Sequence, residues 1–299
     1  MAACLMTVHA HPDDESSKGA GTVALYHDSG VRTVLVCCTG GEEGDVLNPR
    51  MDLPEVRADL VSIRKQELER AAALIGYDEV RFLGYRDSGM PGSSANNHPN
   101  SFAAAPMDEA TGRLVAEIRR AKPQVIVTYP QEQGGYRHPD HLKVHEVTVA
   151  AFDAAADEDA YPEAGPPFAP SKLYYVVWSK ERARSIIANF RSQGMDPPFD
   201  DRWVDRLPEL SEEVVRIDIS KYLTRVSAAL HAHATQIDPD SPFWAGFDPR
   251  LAYPFEEYVL AKSRLPDAVD GVHHGLFDGV EEFSPVVVAR HKGAHSNTQ

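Results

Sequence analysis

Apolar residues fall in short unbroken runs along this chain, and most runs are followed by a stretch of helical spacing. The segments 4–8, Val31 to Cys38, Glu79 to Leu83 and 124–129 read as strands, several of them apolar enough to be buried on both faces. Leu173 to Trp178 and Val214 to Ile219 read as two more. Helical spacing marks Lys18 to His27, Glu55 to Ile75 with Gly76 as its stop signal, 108–121, the stretch from Pro139 to about Ala156, and Lys221 to Thr235. Gly84 to Pro106 is rich in Gly, Pro, Ser and Asn and too long to be a mere connection. Strand–helix alternation at this spacing predicts an α/β fold, a mostly parallel Rossmann-like sheet flanked by helices. The Pro-rich segment Tyr161 to Pro167 reads as a surface loop near the end of the core. We therefore expect a catalytic core over 1–180 and a smaller C-terminal elaboration over 181–299 that completes the same domain and its substrate pocket.

With 299 residues the chain can bury a full α/β core. Thirty basic against 45 acidic residues leave a net charge of −15, which argues against nucleic acid or an anionic membrane as partner. No stretch approaches a transmembrane length, and the N-terminus lacks the pattern of a secretory signal. Cys4, Cys37 and Cys38 are an odd set with two vicinal members, so they read as buried hydrophobes in a reducing cytoplasm. Cys38 is the one near enough to a strand end to approach a site. The last thirty or so residues have weak periodicity, and their histidines (His273, His274, His291, His295) read as a wrapping tail, not a second metal site. The oligomeric state is left open, a homo-oligomer included.

Polar residues crowd at two strand ends. His9-Ala10-His11-Pro12-Asp13-Asp14-Glu15 follows the first strand, and Tyr136-Arg137-His138-Pro139-Asp140-His141 follows the run at 124–129. Open α/β sheets place their ligands at such ends. Zinc accepts imidazole nitrogen and carboxylate oxygen, and a catalytic site keeps three protein ligands and an open position. Residues alone leave the ligand set open. His9 and His11 point to the same face of an extended chain. His145 lies one helical turn from His141, although the segment lacks the glutamate of a zinc-protease helix. Asp13 or Asp14 could cap the following helix, but capping needs only one of them.

These motifs resemble the zinc-dependent LmbE-like (GlcNAc-PI de-N-acetylase) superfamily. The resemblance rests on His11-Pro12-Asp13-Asp14-Glu15 and His138-Pro139-Asp140-His141, and it continues through Thr39-Gly40-Gly41-Glu42-Glu43-Gly44, Arg86-Asp87-Ser88-Gly89-Met90 and Gly134-Gly135-Tyr136. Glu15-Ser16-Ser17-Lys18-Gly19, Leu47 to Asp52 and the Ala-rich stretch 150–164 are most similar to its mycothiol S-conjugate amidase branch. The resemblance implies that His11, Asp14 and His141 hold the metal, Zn²⁺, with Fe²⁺ also suited to a mixed nitrogen and oxygen site. It implies that Asp13 is the general base and that His138, as imidazolium, stabilises the oxyanion or supplies a proton. Asp140 would hold the His138 ring, and Tyr136 would turn its phenol toward the same oxyanion.

For substrate contacts, the resemblance implies that Arg64 grips sugar hydroxyls, although a helix so rich in charge is usually a solvated face. Asp87, at the end of the third strand, is expected to accept hydroxyls, with a turn aspartate as its rival. Glu43 is a further polar contact or a loop carboxylate. Lys18 is expected to reach the acyl group, or to be a surface lysine. The implied function is amide hydrolysis of a mycothiol S-conjugate, a small thiol–sugar conjugate, to an N-acetylcysteine S-conjugate and glucosaminyl-inositol. The alternatives are the N-acetylglucosaminyl-inositol deacetylase of thiol synthesis and a non-catalytic sugar-conjugate binding protein.

Overall fold

The computed structural model describes residues 3–132, 136–197, 199–207, 214–246, 253–266 and 275–280. Within them the apolar runs form a parallel ladder: β1 (Cys4–His9), β2 (Arg32–Thr39), β3 (Glu79–Tyr85), β4 (Val125–Thr128) and β5 (Lys172–Val177). Every residue of β1 and β4 is buried, as strands covered on both faces require. β1 lies between β2 and β4, with Met6 opposite both Val34 and Ile126. The strand order is β3-β2-β1-β4-β5-β7-β6, where β6 is Val215–Asp218 and β7 is Phe255–Ser263. The chain winds outward from β1 in one direction and from β4 in the other. That reversal opens a crevice at their C-terminal ends, where both polar clusters begin.

The helices are α1 (Asp14–Ser17), α2 (Ala20–Asp28), α3 (Pro54–Ala58), α4 (Leu60–Ile75), α5 (Met107–Ala121), α6 (Pro139–Ala154), α7 (Lys180–Ser192), α8 (Asp201–Arg206), α9 (Leu223–Ala232) and α10 (Pro242–Gly246). α4 packs against α9 and α2, and α5 against α6. Gly76 ends α4 in the left-handed region at φ 104°, a conformation that a Cβ would strain. No helix among the described residues is long and apolar enough to cross a membrane.

The expected helix over Lys18 to His27 is α2, which starts two residues later, after Gly19 (φ 98°) parts it from the short α1, and the one over Glu55 to Ile75 breaks at Asp59. β7 was not anticipated. It pairs antiparallel with both β5 and β6 and joins them into the same sheet. Its Glu256 is buried and accepts from the amides of Gly21 (3.0 Å) and Thr22 (2.8 Å), so it neutralises the N-terminus of α2. α7 and α8, also unanticipated, carry a small apolar cluster of Ala183, Ile187, Val204 and Leu207, apart from the main core. Cys4, Cys37 and Cys38 are free and buried. His273, His274, His291 and His295 lie outside the described residues, as do Gly134 and Gly135.

Candidate active site

After β1 the chain turns at once, and Asp13 takes φ 121°. For a residue with a side chain such a conformation costs about 1–3 kcal/mol, so its surroundings must hold it. Two buried groups do so. The Asp13 amide donates to Glu15 (2.9 Å), whose other oxygen faces His233 Nε2 at 2.7 Å. From α4, Arg64 donates to the carbonyls of Pro12 (2.6 Å) and Gly41 (2.9 Å) and to the Asp13 carboxylate (2.9 Å). A Cβ on Gly41 or Gly44 would collide with the guanidinium, which is why the loop after β2 is glycine there. Arg64, expected to grip substrate, is buried and braces the turn that carries Asp13 and Asp14.

The braced turn aims Asp14 at two histidines. Its Oδ2 lies 3.7 Å from His11 Nδ1 and 3.4 Å from His141 Nε2. Zinc bonds of 2.0–2.2 Å in tetrahedral array set donors about 3.3–3.6 Å apart; these three side chains bring one ligand atom each to within 4.8 Å of the others, close enough to converge on one ion. The other nitrogen of His11, Nε2, faces Asp140 Oδ2 at 3.2 Å and Asp87 Oδ1 at 3.6 Å. A proton held on that side leaves the Nδ1 lone pair for a metal. Asp14, Asp87 and Asp140 are all buried, and a cation among them offsets charge that would otherwise be costly. A second group of potential ligands, His11, Asp87, His138 and Asp140, shares His11 with the first.

Burial penalises both charged forms, yet His11 is held well above its ordinary range by Asp14, Asp140 and Asp87, while Asp14 is held well below its own by Lys18 and His141. Burial, aided by Lys18 and His11, lowers His141 to about 4, which keeps it neutral as a ligand must be. Asp13 is pushed up by burial against the pull of Arg64.

His138 begins α6, and its Nδ1 accepts from the Asp140 amide at 3.2 Å. Its proton then sits on Nε2, 4.0 Å from Asp87. Burial and His11 lower its pKa against the pull of Asp140 and Asp87. The Asp140 carboxylate, expected to hold this ring, is 4.0 Å from its Nδ1; it accepts instead from the amide and hydroxyl of Ser88 and orients His11. Tyr136 is half exposed, with its ring 6.2 Å from that of His138 and 5.2 Å from that of His141.

Asp87 turns inward to His11 and His138, where it accepts from the Gly89 amide. Glu43 pairs with Arg86, and Lys18 Nζ lies 2.5 Å from Asp14 Oδ1. His145 faces the Tyr129 carbonyl at 3.1 Å and takes no part in either ligand group. His9 is wholly buried against Tyr129, and burial lowers it to about 4. Sequence reasoning missed Tyr129. Its hydroxyl donates to Asp14 (2.8 Å) and accepts from Ala10 N (2.6 Å), and its ring stacks on His141 at 4.7 Å. It missed His233 and the bracing role of Glu15 too. Beside the cluster opens a cavity of about 860 Å³, walled by Lys18, Tyr129 and Tyr136 on one side and by Trp178, Phe199 and Trp203 on another.

Residues 6–152 match the GlcNAc-PI de-N-acetylase (PIG-L) family. A mycothiol S-conjugate amidase of Streptomyces coelicolor is 38% identical over 291 residues, covering 93% of this chain and 97% of that protein. The chain belongs to the GlcNAc-PI de-N-acetylase family. A 1D-myo-inositol 2-acetamido-2-deoxy-alpha-D-glucopyranoside deacetylase of Acidothermus cellulolyticus is 41% identical over 297 residues, covering 94% of this chain and 96% of that one. Among solved structures, the N,N'-diacetylchitobiose deacetylase of Pyrococcus horikoshii shares the fold with a TM-score of 0.60 at 18% identity, over 87% of this chain and 84% of its own. This family is metal-dependent, and the protein is a hydrolase of amide carbon–nitrogen bonds.

Proposed function

We propose that the protein hydrolyses mycothiol S-conjugates at the amide between the cysteinyl acyl group and the glucosamine nitrogen, with Zn²⁺ as its metal. The cavity beside the cluster carries this reading. At about 860 Å³ it falls in the range of pockets that enclose drug-sized ligands, roughly 300–1,000 Å³, whereas an acetyl group brings three non-hydrogen atoms. The deacetylase of thiol synthesis is the second reading, favoured by the 41% identity to such an enzyme. Residues 181–299 are read as completing the same domain, a view supported by β6 and β7 in the one sheet and by Trp203 in the cavity wall.

His11, Asp14 and His141 would hold the ion, which supplies an acidified water and a polarised carbonyl. Asp13, braced by Arg64 and Glu15, accepts a proton as the water oxygen bonds to the acyl carbon. As the carbon–nitrogen bond breaks, Asp13 returns that proton to the departing glucosamine nitrogen. His138 Nε2–H donates to the developing oxyanion, and Tyr136 lies over the same side. Asp140 and Ser88 keep His11 oriented, and Tyr129 keeps Asp14 in place. The test is kcat/KM of the zinc-loaded protein on a mycothiol S-conjugate and on N-acetylglucosaminyl-inositol. A preference for the conjugate of roughly tenfold or more is expected; a preference for the acetyl substrate overturns the reading.

A further inference from the structure

Trp178, Phe199 and Trp203 are only half buried although they are the largest apolar side chains of their region. Phe199 and Trp203 stack at 4.3 Å and 23°, and Trp178 meets both edge-on, at 6.4 and 6.1 Å. One side of this trio rests on the small cluster of Ala183, Ile187, Val204 and Leu207. The Arg182 guanidinium lies 4.4 Å from the Trp178 ring centroid and fixes that indole. The rest of the aromatic surface lines the cavity, whose walls also include Val177 and Val259. Lys18, Tyr129 and Tyr136 belong to this cavity and touch Asp14 or the site histidines, so the space is continuous with the reacting centre. Preformed apolar walls of this size gain most from a rigid apolar occupant, and an aromatic ring gains further from stacked and edge contacts.

We propose that this cavity is the subsite for the sulfur substituent of the substrate, and that Trp178, Phe199 and Trp203 select planar aromatic substituents over small alkyl ones. The proposal rests on the amidase reading and adds what that enzyme prefers. Trp203 and Trp178 are its specificity-determining residues.

Two conjugates with the same sugar–cysteine half, S-methyl and S-naphthylmethyl, are compared by kcat/KM with the zinc-loaded enzyme. The naphthylmethyl conjugate is expected to lead by roughly tenfold or more. Trp203→Ala removes a face of the cage, and Val259→Phe fills the space from β7 and leaves α8 intact. Each is expected to bring the ratio close to one. A ratio unchanged in both variants overturns the proposal. A second readout is independent of turnover: quenching of tryptophan fluorescence by S-naphthylmethyl-N-acetylcysteine, expected in the unmutated protein and weakened at least tenfold in Val259→Phe. Quenching without cleavage of either conjugate would sink the amidase reading while supporting the aromatic subsite. Cleavage of both conjugates at equal rates without quenching would sink the subsite and leave the amidase.

Discussion

Replacing Arg64 with methionine separates bracing from substrate binding. Methionine keeps most of the volume of the buried stem and removes every donor. Three contacts are lost, to Pro12 O, Gly41 O and Asp13 Oδ2. Hydrogen bonds from a charged donor contribute about 1.5–3 kcal/mol each, but the guanidinium also pays desolvation, and the Asp13 side chain is 37% exposed, so that pair counts for little. The net loss of stability is about 2–4 kcal/mol, a fall in Tm of several degrees by differential scanning calorimetry. The larger effect is on rate. Asp13 holds a strained φ of 121° only while clamped, and a base displaced by about 1 Å costs on the order of a hundredfold. We expect Arg64→Met to lower kcat by about that factor with KM nearly unchanged and zinc retained. Arg64→Lys, with no planar fork, should fall between. A raised KM with an unchanged kcat would refute the reasoning and return Arg64 to the substrate.

Asp14→Ala and His141→Ala are expected to strip the metal and abolish activity, whereas His145→Ala keeps near-stoichiometric zinc by elemental analysis; the reverse pattern would overturn the ligand assignment. Asp140→Asn removes the carboxylate behind His11 and should weaken zinc about 10–100-fold in a chelator competition. Burial penalises both charged forms, yet His233 holds Glu15 below its ordinary 4.5 and Glu15 holds His233 above its ordinary 6.5. The stability they add is therefore complete between those values. It is lost as pH falls through the folded value of Glu15 and as pH rises through that of His233. The Tm gap between the unmutated protein and Glu15→Gln should be widest near about pH 5.5 and narrow toward both extremes; a gap independent of pH would contradict the pairing.

Most of the parallel half of the fold is legible because β1, β2, β4 and β5 are largely continuous apolar runs. β7 is not, because Phe255-Glu256-Glu257-Tyr258 reads as a surface segment. Those glutamates are buried because Gly21, Thr22 and Ser179 bring amide donors, Tyr253 and Tyr258 bring hydroxyls, and Arg216 brings a guanidinium to Glu257. The same limit divides the site. His11, Asp14 and His141 stand in two dense motifs; density marks the motifs, and the family resemblance picks these three from among neighbours such as His9, Asp13 and His145. Tyr129 closes an apolar run and looks like core until Asp14 is seen against its hydroxyl. Arg64 looks like one charge among many on α4, and its partners, 23 to 52 positions away, come from the packing of α4 under the turn. Asp140 is two positions from His138 in sequence, yet the start of α6 turns its carboxylate toward His11 and leaves only its amide for the His138 ring.

Anomalous diffraction at the zinc edge from metal-loaded crystals tests the central claim most directly. Two overlapping groups of ligands share His11, and only one of them leaves His138 unligated for the reaction. The expected result is a single strong peak among His11 Nδ1, Asp14 and His141 Nε2, with His11 Nε2 still on Asp140. A peak instead among Asp87, His138 and Asp140 would contradict the assignment of both the metal site and the oxyanion donor.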